Sequence, residues 1–230
     1  MQYSIPGSQP ITLTKTGEMQ VFMLFAFAMG LTAVGVFAGN IYAPILFRGG
    51  TALLLVIAEF AILLTAPLWK DRSPLNLILF ALFPLLSGIT ISPYLWAVSQ
   101  GYANGNAILF NALVATTFMS AAAALFARTT SINLGVFGRS LFFALLGIVG
   151  LTLLQIFVPA LRQSIGFEMG LSAAGVVLFA LFTAYDFQRV QVMSRQGANP
   201  FLLALNLYLD IFNLFLYVVR FMTAISGNRR

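Results

Sequence analysis

Three carboxylates interrupt otherwise apolar stretches of this 230-residue chain: Glu59 in LLLVIAEFAILL, Asp186 in LFTAYDFQRV and Asp210 in LNLYLDIFNLFLYVVR. An acid near the centre of a bilayer costs roughly 2.5 to 3.5 kcal/mol on insertion scales, so such a residue marks a functional site by default. Their chemistry is narrow. Two carboxylates in contact cannot both ionise cheaply, so a pair shares a proton around neutral pH and senses acidity. Carboxylate oxygens also ligate hard cations such as calcium. The chain contains no Cys and no His, which removes zinc sites, haem ligation, thiol catalysis, disulfides and histidine switches together. Proton chemistry must therefore run on Asp, Glu, Lys or Tyr.

The elements that position these acids are membrane helices. Hydrophobic residues make up 60% of the chain and charged ones 8%, with a mean hydropathy of +0.95, a balance that excludes an ordinary soluble surface. The net charge of +6 does not point to nucleic acid, because most of the bases lie between apolar spans, where they set orientation. The pattern predicts an all-α polytopic membrane protein: a polar N-terminal tail over 1–18, a transmembrane domain over 19–225 and a basic C-terminal tail over 226–230. Seven spans are expected, at Met19–Ala38, Thr51–Trp69, from Ser73-Pro74 to Pro93, Ala107–Ala127, Arg139–Pro159, Gly166–Phe187 and Phe201–Ala224. The first follows no basic region and is as long as a membrane helix needs, so it reads as a retained helix and not a cleaved signal.

Local features suggest how the spans pack. Gly35 and Gly39 form a small-residue notch, and Gly166, Gly170 and Ala174 form a second. The block FPLLSGITISP, residues 83–93, places two prolines, Gly88 and hydroxyl residues together. It suggests irregular backbone, tolerated only where protein or a water-filled cavity covers it. Asn111, Thr116, Thr117 and Ser120 suit interhelical hydrogen bonds. The fifth span, with Thr152 and Gln155 as its polar residues, is expected to face lipid or fill space.

In the last span Asn206, Asp210, Asn213, Tyr217 and Arg220 recur at spacings of 4, 3, 4 and 3, one helical face. A polar stripe through an apolar helix predicts that this helix is central. Asp186 lies eleven positions before Gly197 and Asp210 thirteen after it, so an antiparallel pair brings the two acids to similar depth. The alternatives are that Asp186 is an interfacial helix-end residue and that Asp210 is a buried acid paired with Arg or Asn. Lys70 follows Glu59 by eleven positions on the same helical face and can neutralise the pair from the second span, a tie that acid weakens. Glu59 itself is open between lining a pathway, binding a cation and pairing with Arg220. Lys and Arg count seven against five in favour of a cytoplasmic N-terminus.

The blocks FPLLSGITISP (83–93), FTAYDFQRV (182–190) and LNLYLDIFNLFLYVVRF (205–221), with seven spans in matching order, resemble the Bax inhibitor-1 family, also called the transmembrane Bax-inhibitor-motif family, in its bacterial branch. The resemblance implies seven helices with the last central, wrapped by two three-helix layers. It also implies a pH-sensitive calcium leak governed by an aspartate pair, here Asp186 and Asp210, with Glu59 along the pathway. Lys70 stands where a bacterial relative has a latching arginine; an ammonium is a point donor, whereas guanidinium makes a two-pronged bond.

The leading expectation is thus a proton-sensitive calcium leak in a bacterial inner membrane, a channel rather than a pump, since no nucleotide-binding motif is present to couple ATP, and not an enzyme. Calcium and protons are the transported or sensed ions, and no resident cofactor is expected. Glu59, Asp186 and Asp210, with carbonyls freed around Pro84 and Gly88, supply transient calcium ligands. The alternative is a non-transporting regulator that binds a membrane protease. A more distant one is an intramembrane aspartyl protease, which also needs a carboxylate pair. Here, however, Asp210 sits in Tyr-Leu-Asp, with no Gly-x-Gly-Asp and no following Pro-Ala-Leu.

Overall fold

The computed structural model describes residues 14–47 and 50–227. Most of the expected N-terminal tail, Arg48 and the Arg229-Arg230 pair lie outside the described residues. The described chain is helical: α1 Thr14–Leu46, α2 Thr51–Leu64, α3 Ala66–Trp69, α4 Leu75–Gly101, α5 Gly105–Thr129, a short 3₁₀ turn Leu134–Phe137, α6 Gly138–Phe157, α7 Pro159–Gln163, α8 Ile165–Arg195 and α9 Pro200–Ser226. Six of these segments are long and apolar enough to cross a membrane, and α2 is a shorter apolar helix in the second position. The chain is a polytopic helical membrane protein in which the seven apolar segments follow the expected order.

The second segment is a broken helix. Its 14 residues reach about 21 Å at 1.5 Å per residue, short of a hydrocarbon core of about 30 Å. The chain breaks at Thr65, and Pro67 opens α3. Backbone acceptors near the break are met by side chains, because unmet polar groups are costly in lipid. The Trp69 indole donates to the Ile62 carbonyl at 3.0 Å and the Thr65 hydroxyl to that of Ala61 at 2.6 Å.

Three expectations for the helices are also revised. Helix α1 continues through Gly39-Asn40 to Leu46, and α8 runs to Arg195, absorbing the first half of the expected 188–200 loop. The FPLLSGITISP block is not irregular: α4 passes through Pro84 and Pro93 to Gly101 as one helix. Pro93 has no N–H to offer the Ile89 carbonyl, and the Ser92 hydroxyl donates to it instead at 2.8 Å. The Asn199 side chain caps α9, accepting from the Phe201 and Leu202 amides at 2.9 and 3.3 Å.

Helix α9 is central. It packs against α8, α1, α5 and α4, and 56% of its most apolar stretch is buried, against 17 to 33% for the other spans. Helices α1 and α4 approach each other backbone to backbone. A Cβ at Gly35 would overlap the Leu85 carbonyl oxygen, and one at Gly88 would overlap that of Thr32. The Gly35 and Gly39 notch therefore works as expected, Gly39 lying against Ser92.

The second notch does not: Gly166, Gly170 and Ala174 are exposed, and an added Cβ would meet nothing at either glycine. The packing glycine of α8 is Gly175, against the Tyr217 ring. On α5, Asn111 and Thr117 are exposed. Thr116 and Ser120 are buried, but their hydroxyls have no partner among the described residues, so the expected interhelical bonds are not made. Ala112, Ala123 and Ala127 on the same stripe let α5 press close, and hydrophobic shape does the packing.

Candidate functional site

Helices α8 and α9 are joined by four residues, with Gly197 at φ 76° making the reversal. Their antiparallel packing brings Asp186 and Asp210 together. Both are buried, at 4% and 9% exposure, and their carboxyl groups lie close enough to interact directly. One oxygen of Asp210, Oδ2, is buried without a partner among the described residues. The cation beside the pair is Arg189, one turn further along α8. Its Nη1 lies 3.8 Å from Asp186 Oδ1, and its Nε donates to Met193 Sδ at 3.1 Å. A cleft of about 200 Å³, lined in part by Asn133, Tyr185, Gln188 and Arg189, opens alongside. Gln188 anchors this end of α8 to the 3₁₀ turn, donating to the Ile132 carbonyl at 2.9 Å and accepting from the Leu134 amide at 2.7 Å.

Lys70 is placed elsewhere. Its ammonium pairs with the adjacent Asp71 at 3.1 Å, and Asn199 donates to the Lys70 carbonyl and to Asp71 Oδ1, each at 2.8 Å. The eleven-position register from Glu59 assumed one continuous helix, and the break at Thr65 invalidates it. Lys70 instead helps tie the turn before α4 to the start of α9. In this exposed turn the hydrogen bonds from Lys70 and then Asn199 hold the Asp71 carboxyl below its usual value of 3.8. A depressed carboxylate contributes its tie above the unfolded value, and that contribution is lost as pH falls through the lower folded value. The protection of amides at residues 70–76, relative to free amides at the same pH, is therefore expected to be high at pH 6 and to fall below about pH 3.8. In Asp71→Asn protection should be low at both; equal protection in the two proteins at pH 6 contradicts the tie.

Glu59 occupies a separate cluster. Its carboxylate accepts from the Ser87 hydroxyl at 2.9 Å and from the Thr90 hydroxyl. The FPLLSGITISP block thus presents hydroxyls to Glu59. The Tyr208 hydroxyl, 2.8 Å from that of Thr32, neighbours both Ser87 and Glu59. These groups connect α2, α4, α9 and α1. Among the described residues no three acids gather in a group able to hold a metal ion, so Glu59 does not share one resting site with the aspartate pair.

At the other end of α9, Arg220 engages Glu168 and not Glu59. Its Nε and Nη2 donate to the two Glu168 oxygens at 2.8 and 2.9 Å. Gln155 donates to Glu168 Oε2 at 3.0 Å and accepts from Arg220 Nη2 at 3.4 Å. The guanidinium lies 5.3 Å from the Tyr217 ring centroid, and Tyr217 stacks on Phe179. This network clamps α6, α8 and α9. Gln155, in the span expected to face lipid or fill space, is a buried member of it. The remaining stripe residues do less: Asn213 donates to the Leu209 carbonyl of its own helix at 2.8 Å, and Asn206 is half-buried.

Sequence reasoning missed Arg189, Glu168, Gln155, Tyr208 and Thr32. The sequence offered a signal for Arg189, which sits three residues after Asp186 on one helical face, the spacing at which an ion pair forms.

These features define a class: a seven-segment helical membrane protein whose central last helix pairs one buried aspartate with another from the preceding helix. The family described as Inhibitor of apoptosis-promoting Bax1 matches residues 14–228, and the chain belongs to that family. It is 33% identical to the inner membrane protein YbhL of Escherichia coli K12, with 96% of this chain and 95% of that one covered. It is 30% identical to the uncharacterized protein Cj0236c of Campylobacter jejuni, covering 93% of each. An uncharacterized protein of Borreliella burgdorferi is 28% identical, with 96% of each covered.

Proposed function

We propose that this chain is a proton-sensitive calcium leak of a bacterial inner membrane, its N-terminus cytoplasmic, gated by the protonation state of Asp186 and Asp210. The observation that carries the reading is the juxtaposition of two buried carboxyls with Arg189 at their edge. With one shared proton or none, the pair is anionic and attracts Arg189, whose charge acts on Asp186 within α8 and on Asp210 across on α9, and so ties the two helices. Full protonation neutralises the pair, releases the guanidinium and frees the helices to part. Arg189 takes the role that the sequence assigned to Lys70. Glu59, with its two donating hydroxyls, is the second station for a passing cation. Few full charges along the route favour passage over tight binding. The inner-membrane location rests on the likeness to YbhL.

The test is calcium flux into proteoliposomes across a pH series. Wild type is expected to change flux as the pair titrates. Asp210→Asn removes the titrating pair, so its flux should be flat within about twofold, because pH then favours neither state. Superimposable pH profiles for the two proteins defeat the reading.

A further inference from the structure

The ends of α1, α5 and α8 enclose a cleft of about 530 Å³ lined by Glu18, Met19, Phe22, Arg128, Gln191 and Arg195. None of these residues belongs to the aspartate pair, the Glu59 cluster or the Arg220 clamp. Arg128 Nη2 is held by Glu18 at 2.9 Å, which fixes one guanidinium at the rim and occupies the cleft's one carboxylate. Arg195 has no ion-pair partner among the described residues. Two guanidiniums and the Gln191 amide therefore offer donors around a cavity of net positive charge.

The two helices α1 and α5 that border the cleft also expose apolar side chains near it. Met19 and Met23 of α1 are 57% and 58% exposed, and Leu125 and Phe126 of α5 are 64% and 47% exposed. Such a combination suits an amphiphile: planar guanidinium forks match phosphate oxygens, while the apolar strip below accepts acyl chain. We infer that this cleft binds the phosphodiester headgroup of an anionic phospholipid from the adjoining leaflet, between Arg128 and Arg195. A zwitterionic headgroup fits less well, since its ammonium would meet Arg195 with the only carboxylate already engaged. A soluble phosphate would use the cations but leave the apolar strip unused.

Native mass spectrometry of the full chain in detergent, titrated with phosphatidylglycerol or phosphatidylethanolamine, tests this. Wild type is expected to retain phosphatidylglycerol preferentially. Arg195→Gln should lower the retained fraction about fivefold, the loss expected for one basic residue at a membrane surface. Arg195→Lys keeps the charge but loses the fork and should fall between the two. Arg139→Gln, at the same end but outside the cleft, should match wild type. Equal losses in Arg195→Gln and Arg139→Gln, or equal retention of both lipids, overturn the assignment. Displacement of bound phosphatidylglycerol by millimolar inorganic phosphate would make the site one for a free anion, and would overturn it too. Unchanged thermal midpoints of the variants establish that binding and not folding is being read.

Discussion

Gly88→Val is expected to destabilise the detergent-solubilised protein by about 3 kcal/mol or more, the upper range for overpacking a close contact. The atoms an added Cβ meets are backbone: the Thr32 carbonyl, Gly35 Cα at 2.9 Å and Val36 N at 2.9 Å. Backbone cannot swing aside as a flexible side chain does, so α1 and α4 must separate. Separation also strains the Thr32 to Tyr208 hydrogen bond and, through α4, the hydroxyls that hold Glu59. Gly170→Ala is the control, because an added Cβ there meets nothing within 4 Å. It should be neutral or stabilise by about 0.4 to 1 kcal/mol through the unfolded chain. Thermal unfolding of the two variants side by side decides the matter; equal midpoints would refute the close α1 to α4 contact as a constraint on stability.

Sequence patterning made the seven apolar segments, their order and the central last helix legible, because bilayer thickness and helical periodicity act on residues close along the chain. It also placed Asp186 and Asp210 at one depth, since a short connection fixes the register of two antiparallel helices. Where it failed, the deciding facts were non-local or lay in the backbone. The Glu59 to Lys70 register assumed a helix that Thr65 and Pro67 interrupt. Gly166 and Gly170 have the same spacing as Gly35 and Gly39, but only the latter face a neighbour. The prolines in FPLLSGITISP announced a break that Ser92 compensates within the helix. Glu168 and Gln155 looked unremarkable in their own segments. Their role exists because α6 and α8 present them to Arg220, and no short-range pattern carries that information.

Arg220→Met is expected to destabilise the protein by about 2 to 3 kcal/mol, less than the 3 to 5 kcal/mol of a fully buried broken pair. The discount follows from exposure, since the Arg220 and Glu168 side chains are 22% and 27% accessible and water partly screens the orphaned Glu168 carboxylate. Adding Glu168→Gln removes that orphaned charge, so the double variant should recover part of the loss, giving a coupling energy that the cycle measures directly. Eighteen residues, roughly 27 Å along α8, separate Glu168 from Asp186. No hydrogen bond or ion pair joins the two sites among the described residues, and their effects should add to within about 0.5 kcal/mol. Arg220→Met is therefore expected to lower the thermal midpoint while leaving the shape of the flux-against-pH profile unchanged. Asp210→Asn should do the converse, altering the profile with a smaller change in midpoint, because the amide is isosteric with the carboxyl and needs no counter-charge. A shifted pH profile in Arg220→Met would mean that the clamp and the aspartate pair move as one element, and that α9 transmits the state of one end to the other.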